Sequence, residues 1–531
     1  MRTRRDFLKS IMVGGIATIV PSVGLSVSFA NQKREPNVVL IVCDDLNDYV
    51  KGMEGHPQAK TPHIANLARS GVAFKRAYSN NPICAPSRSS FLTGIYPHTS
   101  KNLFWDKWFE NPVLKNSRSI MEYFRDNGYH VVGSGKLMHH HLPSVWSQFK
   151  YKADYGPFVY DGKNRVAHPS VPQPFGSIGH VDGSFAPLSD LPYGPNPEDN
   201  KGWIYGTWKV NKFNYVDEEN RDPTPDERNA AWAASKIREF AKQKNSKPFF
   251  LGVGFIRPHT PLHVPKRFFD MFPRDSLKIP VIKPNDAEDC HYKDVFDSSI
   301  KGLRYFRLLK ESYPDLESGL KAFTQAYLAS VAAVDECIGR VIEAVDKSPL
   351  KDNTIIVVTS DHGWNMGEKD YLFKNALWEE STRVPLVIRA PGVALAGGIA
   401  EHPVSLIDIY PTLIDLCGIK GDTRKNSKGA RLDGYSLRPF LEKPKSEIWD
   451  GPDAALTMIY AGNSTKNDPT KQHWSVRTKK WRYILYNNGS EELYDHDTDP
   501  YEWTNLSDEP RYKKVKAEMK ARMFQMTGRL P

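Results

Sequence analysis

Two pairs of adjacent polar residues each follow a short aliphatic segment. Asp44 and Asp45 come directly after residues 38–42, and Asp361 and His362 come just after residues 355–359. Unbroken aliphatic runs of this length are typical of strands buried in a parallel sheet, and ligands bind beyond the carboxyl ends of such strands. Because neighbouring carboxylates repel each other unless a cation or proton intervenes, the two strand ends together predict a site for one divalent cation.

The two pairs do not determine which metal binds. An Asp-Asp pair alone is more simply interpreted as a solvated turn, and only the second strand end favours a metal. Calcium and magnesium both prefer oxygen ligands, whereas His362 would offer a nitrogen. We expect calcium, with magnesium as the alternative.

A third segment, residues 84–94, contains a cysteine in a distinctive setting: Cys84 is followed by Pro86, Arg88, Thr93 and Gly94. This segment resembles the signature of the type I sulfatases of the alkaline phosphatase superfamily, which is Cys-x-Pro-x-Arg followed by Thr-Gly. The resemblance extends over nearly the whole chain, including both strand ends and residues 492–500. It implies that a formylglycine-generating enzyme oxidises Cys84, that the product also binds the metal, and that Arg88 orients it.

Formylglycine is suited to sulfate esters because a hydrated aldehyde carries two hydroxyls on one carbon. One hydroxyl attacks sulfur and displaces the alcohol. The other then loses its proton, so the aldehyde re-forms and sulfate leaves without a second attack at sulfur. A serine would instead leave a sulfate ester that is itself hard to hydrolyse. Cys84 is also predicted to begin a helix, whose free N–H groups favour an anion.

The resemblance assigns roles to four further residues. Lys136 and His139 match a Lys-x-x-His pair in which the lysine holds sulfate and the histidine assists the covalent step. His259 matches the histidine that faces the leaving group, and Lys374 matches a second sulfate-binding lysine. A single lysine is more often a solvated surface residue, but cationic groups at several strand ends favour a bound anionic transition state.

Two shorter segments resemble iduronate-2-sulfatase within this family. They are residues 361–364, which read Asp-His-Gly-Trp, and residues 257–261. Departures concentrate in residues 140–225 and 262–315, where substrate contacts are expected. The resemblance therefore predicts the fold and the chemistry better than it predicts which sugar the substrate contains.

Aliphatic runs and amphipathic helical patterns alternate over most of the chain, which is typical of an α/β sandwich with a mostly parallel central sheet. We predict one catalytic domain over residues 31–449, with an alkaline-phosphatase-like fold. The predicted strands cover residues 38–42, 249–253, 355–359 and 386–388, and the predicted helices cover residues 227–242 and 320–345.

The pattern changes near residue 450, where short segments separated by turn residues predict an antiparallel sheet. We therefore expect a small α+β subdomain over residues 450–531, closed by a helix at about residues 510–526 that Gly528 ends. The predicted strands cover residues 455–460, 474–477, 481–486 and 491–494.

Residues 140–225 are rich in proline, glycine and aromatic residues and show little periodicity. Long irregular segments inside a domain are usually functional or disordered, and the aromatic content argues against disorder. We interpret this segment as an insertion that faces the substrate, in which aromatics such as Trp203 and Tyr205 would contact a sugar.

Composition excludes several other classes of protein. The 531 residues are 40% hydrophobic and carry a formal net charge of +10, a balance that suits a polyanionic substrate. We find no arginine-rich arm or nucleic-acid-binding module, so we expect no nucleic acid partner. The five cysteines are scattered and do not form a disulfide framework.

The first 30 residues are typical of an export signal. Arg4 and Arg5 precede an apolar stretch and resemble a twin-arginine (Tat) motif, and Ser28 and Ala30 provide a small-x-small cleavage site. A membrane anchor is the alternative, but the glycines and the proline of this stretch make a poor spanning helix. We expect a mature protein in the periplasm or outside the cell that does not span a membrane.

Three functions therefore compete on sequence grounds. The favoured one is a sulfatase for a sulfated poly- or oligosaccharide, such as the algal polysaccharide ulvan or a glycosaminoglycan. The alternatives are a formylglycine-dependent phosphonate or phosphate ester hydrolase and a non-catalytic protein that binds sulfated glycans. The intact segment from Cys84 to Arg88 argues against the last of these.

Replacing both Arg4 and Arg5 by lysine is expected to block export, because the Tat translocon reads the arginine pair. The measurement is the amount of protein in the cytoplasmic, periplasmic and secreted fractions of the producing cells. Unchanged exported protein in the double variant would contradict the twin-arginine route.

Overall fold

The computed structural model describes residues 35–191, 198–206, 211–243, 247–466 and 468–528. The predicted signal segment and its cleavage site lie outside these residues. Within them, none of the helices combines the length and the hydropathy that a membrane-spanning helix requires.

The elements alternate as the sequence predicts. The strands are β1 (Asn37–Asp44), β2 (Val72–Tyr78), β3 (His130–Gly135), β4 (Gln148–Phe149), β5 (Phe158–Tyr160), β6 (Arg165–Val166), β7 (Phe185–Pro187), β8 (Gly202–Ile204), β9 (Phe249–Pro258), β10 (Leu262–Val264), β11 (Thr354–Ser360), β12 (Arg383–Arg389), β13 (Gly398–Ala400), β14 (Val404–Ser405), β15 (Ala455–Ile459), β16 (His473–Arg477), β17 (Trp481–Leu485) and β18 (Glu491–Asp495). The α-helices are α1 (Pro62–Arg69), α2 (Cys84–Thr93), α3 (Pro97–Ser100), α4 (Ile120–Asp126), α5 (Pro225–Lys242), α6 (Lys266–Asp270), α7 (Tyr292–Val295), α8 (Lys301–Ser312), α9 (Leu316–Asp346), α10 (Glu379–Thr382), α11 (Ile409–Leu416), α12 (Arg438–Glu442) and α13 (Lys513–Thr527).

The described residues form a central nine-stranded sheet in the order β13-β2-β12-β11-β1-β9-β3-β4, with β14 paired to β2. Most neighbours are parallel, and β12 is antiparallel to both β11 and β2. The predicted mostly parallel sheet is therefore confirmed.

The side chains of β1 alternate between two hydrophobic cores, as the strand period requires. Val39 and Ile41 pack in the core that contains α5 and α9. Leu40 and Val42 pack in the core on the other face, which contains α4 and α11. Because helices cover both faces, the residues of β1 between Asn37 and Asp44 are all apolar.

Local sequence explains where the two long core helices begin. The Thr224 side chain accepts a hydrogen bond from the Glu227 amide, and Glu227 caps Thr224 in return. Asp315 accepts from the Ser318 amide at the start of α9. Side-chain caps of this kind satisfy amides that have no partner inside the helix. The predicted helices over residues 227–242 and 320–345 are confirmed within a few residues.

The C-terminal strands form an antiparallel sheet in the order β15-β16-β17-β18. Its core includes Trp474 of β16 and Met523 of α13, and also Leu103 and Ile407 from the larger domain. The Thr457 hydroxyl donates to the Ser79 carbonyl at 2.6 Å. The sheet is therefore joined to the region just before α2 by shared packing and by a buried hydrogen bond.

The insertion has its own small core, and this corrects one expectation. This core contains Trp203, Tyr205, Phe213 and Tyr215. Trp203 is fully buried, and Tyr205 is 9% exposed. The Trp203 indole N–H donates to the carbonyl oxygens of Leu188 and Leu191. The two rings stabilise the insertion, because burial removes their apolar surface from water, and they leave almost no surface that a sugar could contact.

Trp203→Ala is expected to lower the free energy of unfolding by about 3–5 kcal/mol, because it leaves a large cavity. Val216→Ala, in the same insertion but at a side chain 63% exposed, is the matched control and is expected to change it by about 0.5 kcal/mol or less. Chemical denaturation measures both, and equal effects would contradict a core role for Trp203.

Candidate active site

The two predicted strand ends lie side by side. β1 and β11 are parallel neighbours, with Cys43 opposite Ser360, so the residues that follow leave the sheet at the same edge. Asp45 adopts a left-handed backbone conformation (φ 64°), which turns the chain away from the strand. The Tyr327 hydroxyl of α9 donates to the Asp45 carbonyl at 2.6 Å and holds this turn.

Cys84 begins α2, as predicted, and is 1% exposed. The preceding residue, Ile83, provides no side-chain cap, so the first amides of the helix remain available to an anion. The Cys84 Sγ lies 3.3 Å from Asp44 Oδ1, 3.3 Å from His362 Nε2 and 3.2 Å from Lys374 Nζ. Burial and Asp44 raise the pKa of the Cys84 thiol.

Arg88 lies one helical turn further along α2 and is completely buried. Its Nε donates to Asp361 Oδ2 at 2.8 Å, and its Nη2 lies 3.5 Å from Asp44 Oδ1. The guanidinium also donates to the carbonyl oxygens of Cys43 and Lys136. Burial alone would lower the pKa of Arg88, but Asp361 and Asp44 raise it. Arg88 therefore remains charged and holds α2 against both strand ends.

Two lysines each contact a different aspartate of the first strand end. Lys136 Nζ contacts Asp44 Oδ2, and Lys374 Nζ lies 2.7 Å from Asp45 Oδ1. Burial alone would lower the pKa of each lysine, but the carboxylates raise it. Both ammonium groups therefore stay charged beside the Cys84 side chain.

Two of the predicted histidines lie close to these charged groups. His259 Nε2 is 3.8 Å from Asp45 Oδ2, and its Nδ1 lies 2.6 Å from the Thr260 carbonyl oxygen. Burial and the charge of Lys374 hold the pKa of His259 well below its usual value. His139 has a buried Nδ1 with no hydrogen-bond partner among the described residues. Burial and Lys136 lower the pKa of His139 to about 2, so its imidazole is neutral.

The geometry fits a metal ion at the strand ends. Asp44, Asp45, Cys84 and His362 each offer a ligand atom, and these atoms all lie within 4.8 Å of one another. The buried Oδ2 of Asp45 has no hydrogen-bond partner in the described part of the chain. Burial raises the pKa of Asp45 to about 8, and Asp44 contributes to the rise. A cation would satisfy the free oxygen and relieve this repulsion.

Asp361 stands slightly apart from this group. Its Oδ1 accepts hydrogen bonds from the backbone amides of Asp45 and His362, at 3.3 and 3.0 Å. Its Oδ2 accepts from Arg88 and lies 3.6 Å from His362 Nε2. Its position as a metal ligand stays a prediction.

A second group of possible ligands, Glu379, His496 and Glu502, does not resemble a metal site. Arg482 contacts both glutamates, and Arg477 lies 3.1 Å from Glu379. Because two buried arginines already neutralise these carboxylates, the group is better explained as an ion-pair network that joins the C-terminal sheet to α10.

The structure adds two residues of the insertion that no motif identifies. The Tyr155 ring lies 5.0 Å from the His259 ring and 4.9 Å from Lys136 Nζ. Asp182 accepts hydrogen bonds from the Thr260 and Tyr305 hydroxyls at 2.8 and 2.7 Å. Only the general expectation that the insertion faces the site could have directed attention to them.

Comparison with known proteins identifies the family. The model of the family described as "Sulfatase" matches residues 36–419, and that of the "N-sulphoglucosamine sulphohydrolase, C-terminal" family matches residues 367–529. The chain belongs to the sulfatase family. It is a sulfuric ester hydrolase, as its motifs predicted.

Relatives of this sulfatase cover most of its length. A sulfatase of Formosa agariphila is 32% identical over 92% of this chain and 86% of that protein. Human iduronate 2-sulfatase is 28% identical over 88% of this chain and 90% of that protein. This agrees with the resemblance that residues 257–261 and 361–364 indicate. The predicted family is therefore confirmed.

Solved structures confirm the predicted fold of this sulfatase. The phosphonate monoester hydrolase of Agrobacterium radiobacter has a TM-score of 0.66 and is 24% identical, with coverage of 93% of this chain and 95% of that one. A protein solved in complex with its substrate D-glucosamine-2-N,6-O-disulfate has a TM-score of 0.64 and is 20% identical, with coverage of 93% and 98%. At these identities the likeness concerns the fold alone.

Asp45→Asn is expected to lower the content of bound divalent cation and the activity together, because the amide keeps the shape but loses the charge that holds a cation. Elemental analysis of the purified protein measures the metal. Asp182→Asn is the matched control, since Asp182 is also largely buried and paired with a lysine but lies outside the ligand group. Normal metal content in Asp45→Asn would remove Asp45 from the site.

Proposed function

We propose that this sulfatase hydrolyses sulfate esters of a sulfated poly- or oligosaccharide, with Cys84 converted to formylglycine and with one divalent cation. The observation that carries the proposal is the position of Cys84. It lies at an uncapped helix start, between Lys374 and the carboxylates of the two strand ends. The name of the iduronate 2-sulfatase relative and the disulfated glucosamine bound by a neighbour support a saccharide substrate.

We infer that the residues around Cys84 form the pocket for an anion. Lys136 contacts Asp44, Lys374 contacts Asp45, and α2 begins at Cys84 without a side-chain cap on its first amides. In a site closed to water these charges interact strongly with sulfate oxygens, because little solvent screens them. We infer that the lysines, which contact Asp44 and Asp45 here, also hold the oxygens of a bound sulfate.

The cation would be held by Asp44, Asp45 and His362, and position 84 and Asp361 would complete the set. We propose calcium, with magnesium as the alternative. When bound, a divalent cation withdraws charge from a sulfate oxygen. A formylglycine at position 84 supplies the attacking hydroxyl. Arg88 holds α2 in place through Asp361 and the Cys43 carbonyl, which keeps position 84 at the centre of the pocket.

Two histidines are assigned separate roles beside this pocket. With its Nδ1 proton donated to the Thr260 carbonyl, His259 presents Nε2 towards the carboxylates and the pocket. The negative charge of a bound sulfate ester favours protonation of Nε2, and we assign to His259 in this doubly protonated form the proton that the leaving alcohol takes up. A sugar alcohol is a poor leaving group, so it needs this proton more than a phenol does. We assign to the neutral His139 a hydrogen bond to the covalent intermediate, because its Nδ1 has no partner among the described residues and its lowered pKa disfavours the charged form.

Cys84→Ser is expected to lower kcat by several orders of magnitude, since one hydroxyl cannot release sulfate as a hydrated aldehyde does. In active wild-type protein, peptide mass spectrometry is expected to show an aldehyde in place of the Cys84 thiol. Full activity with an unmodified thiol would contradict the proposed mechanism.

The substrate class is tested with the wild-type enzyme on sulfated saccharides, an aryl sulfate and an aryl phosphonate. Defined oligosaccharides of ulvan and carrageenan represent algal polysaccharides, and those of heparan and dermatan represent glycosaminoglycans. Release of inorganic sulfate from a saccharide supports the proposal. Faster turnover of the phosphonate would instead favour the phosphonate hydrolase alternative, and no turnover of any ester by matured protein would favour a glycan-binding role.

A further inference from the structure

One large aromatic side chain beside the anion pocket is open to solvent. Trp105 is 43% exposed, and its ring centroid lies 4.8 Å from that of His139. His139 follows Lys136 by three residues, and Lys136 contacts Asp44. A single exposed aromatic is ordinary on a protein surface, so the position beside the pocket is what requires an explanation.

The loop that carries Trp105 is anchored on both sides of it. Leu103 is completely buried, and its carbonyl oxygen accepts a hydrogen bond from Asn81 Nδ2 at 3.2 Å. Phe104 stacks on Tyr460 of the C-terminal subdomain, with centroids 4.8 Å apart and planes at 19°. On the other side, Asp106 forms an ion pair with Lys466 at 2.9 Å. The backbone at Trp105 is therefore held in place, although nearly half of the side chain is open to solvent.

The same loop is tied to two segments of the active site. Asn102 Oδ1 accepts a hydrogen bond from the Ser89 hydroxyl of α2 at 3.1 Å. The buried Trp108 donates its indole N–H to the His140 carbonyl oxygen at 3.0 Å. Since α2 begins at Cys84 and His140 adjoins His139, the position of Trp105 is fixed relative to the pocket.

This geometry suits a sugar ring. A pyranose has an apolar face of C–H groups that packs on the face of an indole, while its hydroxyl and sulfate groups point outward to polar partners. A rigid, pre-positioned aromatic gives such binding at a small entropic cost. The cationic groups of the pocket would hold the sulfate while the indole holds the ring.

We propose that Trp105 is a sugar-stacking residue that packs against a pyranose ring of the sulfated saccharide, on the Lys136–His139 side of the pocket. The inference rests on the proposed saccharide sulfatase function and deepens it. It replaces the expectation that Trp203 and Tyr205 contact the sugar, since those rings are buried.

The test compares wild type, Trp105→Ala and Trp105→Phe on a sulfated oligosaccharide that the enzyme hydrolyses and on a small aryl sulfate. In Trp105→Ala the ratio of kcat/KM for the saccharide to that for the aryl sulfate is expected to fall about fivefold to tenfold, mainly through KM. Trp105→Phe is expected to retain part of the ratio, because it keeps an aromatic face. Tyr501→Ala is the matched control, at a ring 45% exposed that stacks on Trp503, and is expected to keep the wild-type ratio.

Inhibition by inorganic sulfate separates a sugar contact from a disturbed pocket. If Trp105 contacts only the sugar, the inhibition constant of sulfate stays within about twofold of wild type in Trp105→Ala. An unchanged saccharide ratio, or a sulfate constant that rises as much as the saccharide KM, would overturn the inference. A wild-type enzyme inactive on every saccharide would refute the proposed function and this inference together, whereas an active wild type with an unchanged Trp105→Ala ratio refutes this inference alone.

Discussion

The site depends on keeping three carboxylates buried at one edge of the central sheet. Asp44, Asp45 and Asp361 are all completely buried, and an unpaired buried charge costs several kcal/mol. The fold offsets this cost with Arg88, Lys136 and Lys374, which arrive from α2, from the end of β3 and from the segment after β11. Each of these elements must therefore pack correctly before the edge of the sheet is electrostatically stable.

The compensation is incomplete at Asp45, and this is where we expect the metal. Its Oδ2 remains without a hydrogen bond in the described structure, and its backbone lies in the left-handed region. Stability and function conflict at such positions, because a better-paired carboxylate would be less available to a cation. Tyr327 of α9 supports the turn from behind and so connects the hydrophobic core to the ligand group.

The side chains around the pocket come partly from the insertion and partly from a loop that the C-terminal subdomain supports. Tyr155 and Asp182 belong to the insertion, whose small core contains Trp203. Trp105 lies beside His139, and the C-terminal subdomain supports its loop through contacts of Tyr460 with Phe104 and of Lys466 with Asp106. The subdomain also contacts α10 through the ion pairs of Arg482. Trp105, which we propose to contact a sugar, is thus supported by peripheral elements, whereas most of the residues proposed for the cation and the sulfate follow strands of the central sheet.

The sequence by itself determined the family, the α/β sandwich and the residues at the strand ends. These features depend on local patterns: aliphatic runs that end in aspartates, amphipathic helices, and the motif from Cys84 to Gly94. The tertiary structure alone decided which aromatic side chains are buried and which are exposed near the site. Trp203 and Trp105 are the same residue type in segments of similar composition, yet one packs in a core and the other is exposed beside His139. Their environments depend on contacts with residues distant in the chain, such as Tyr460, and no local period or spacing encodes such contacts.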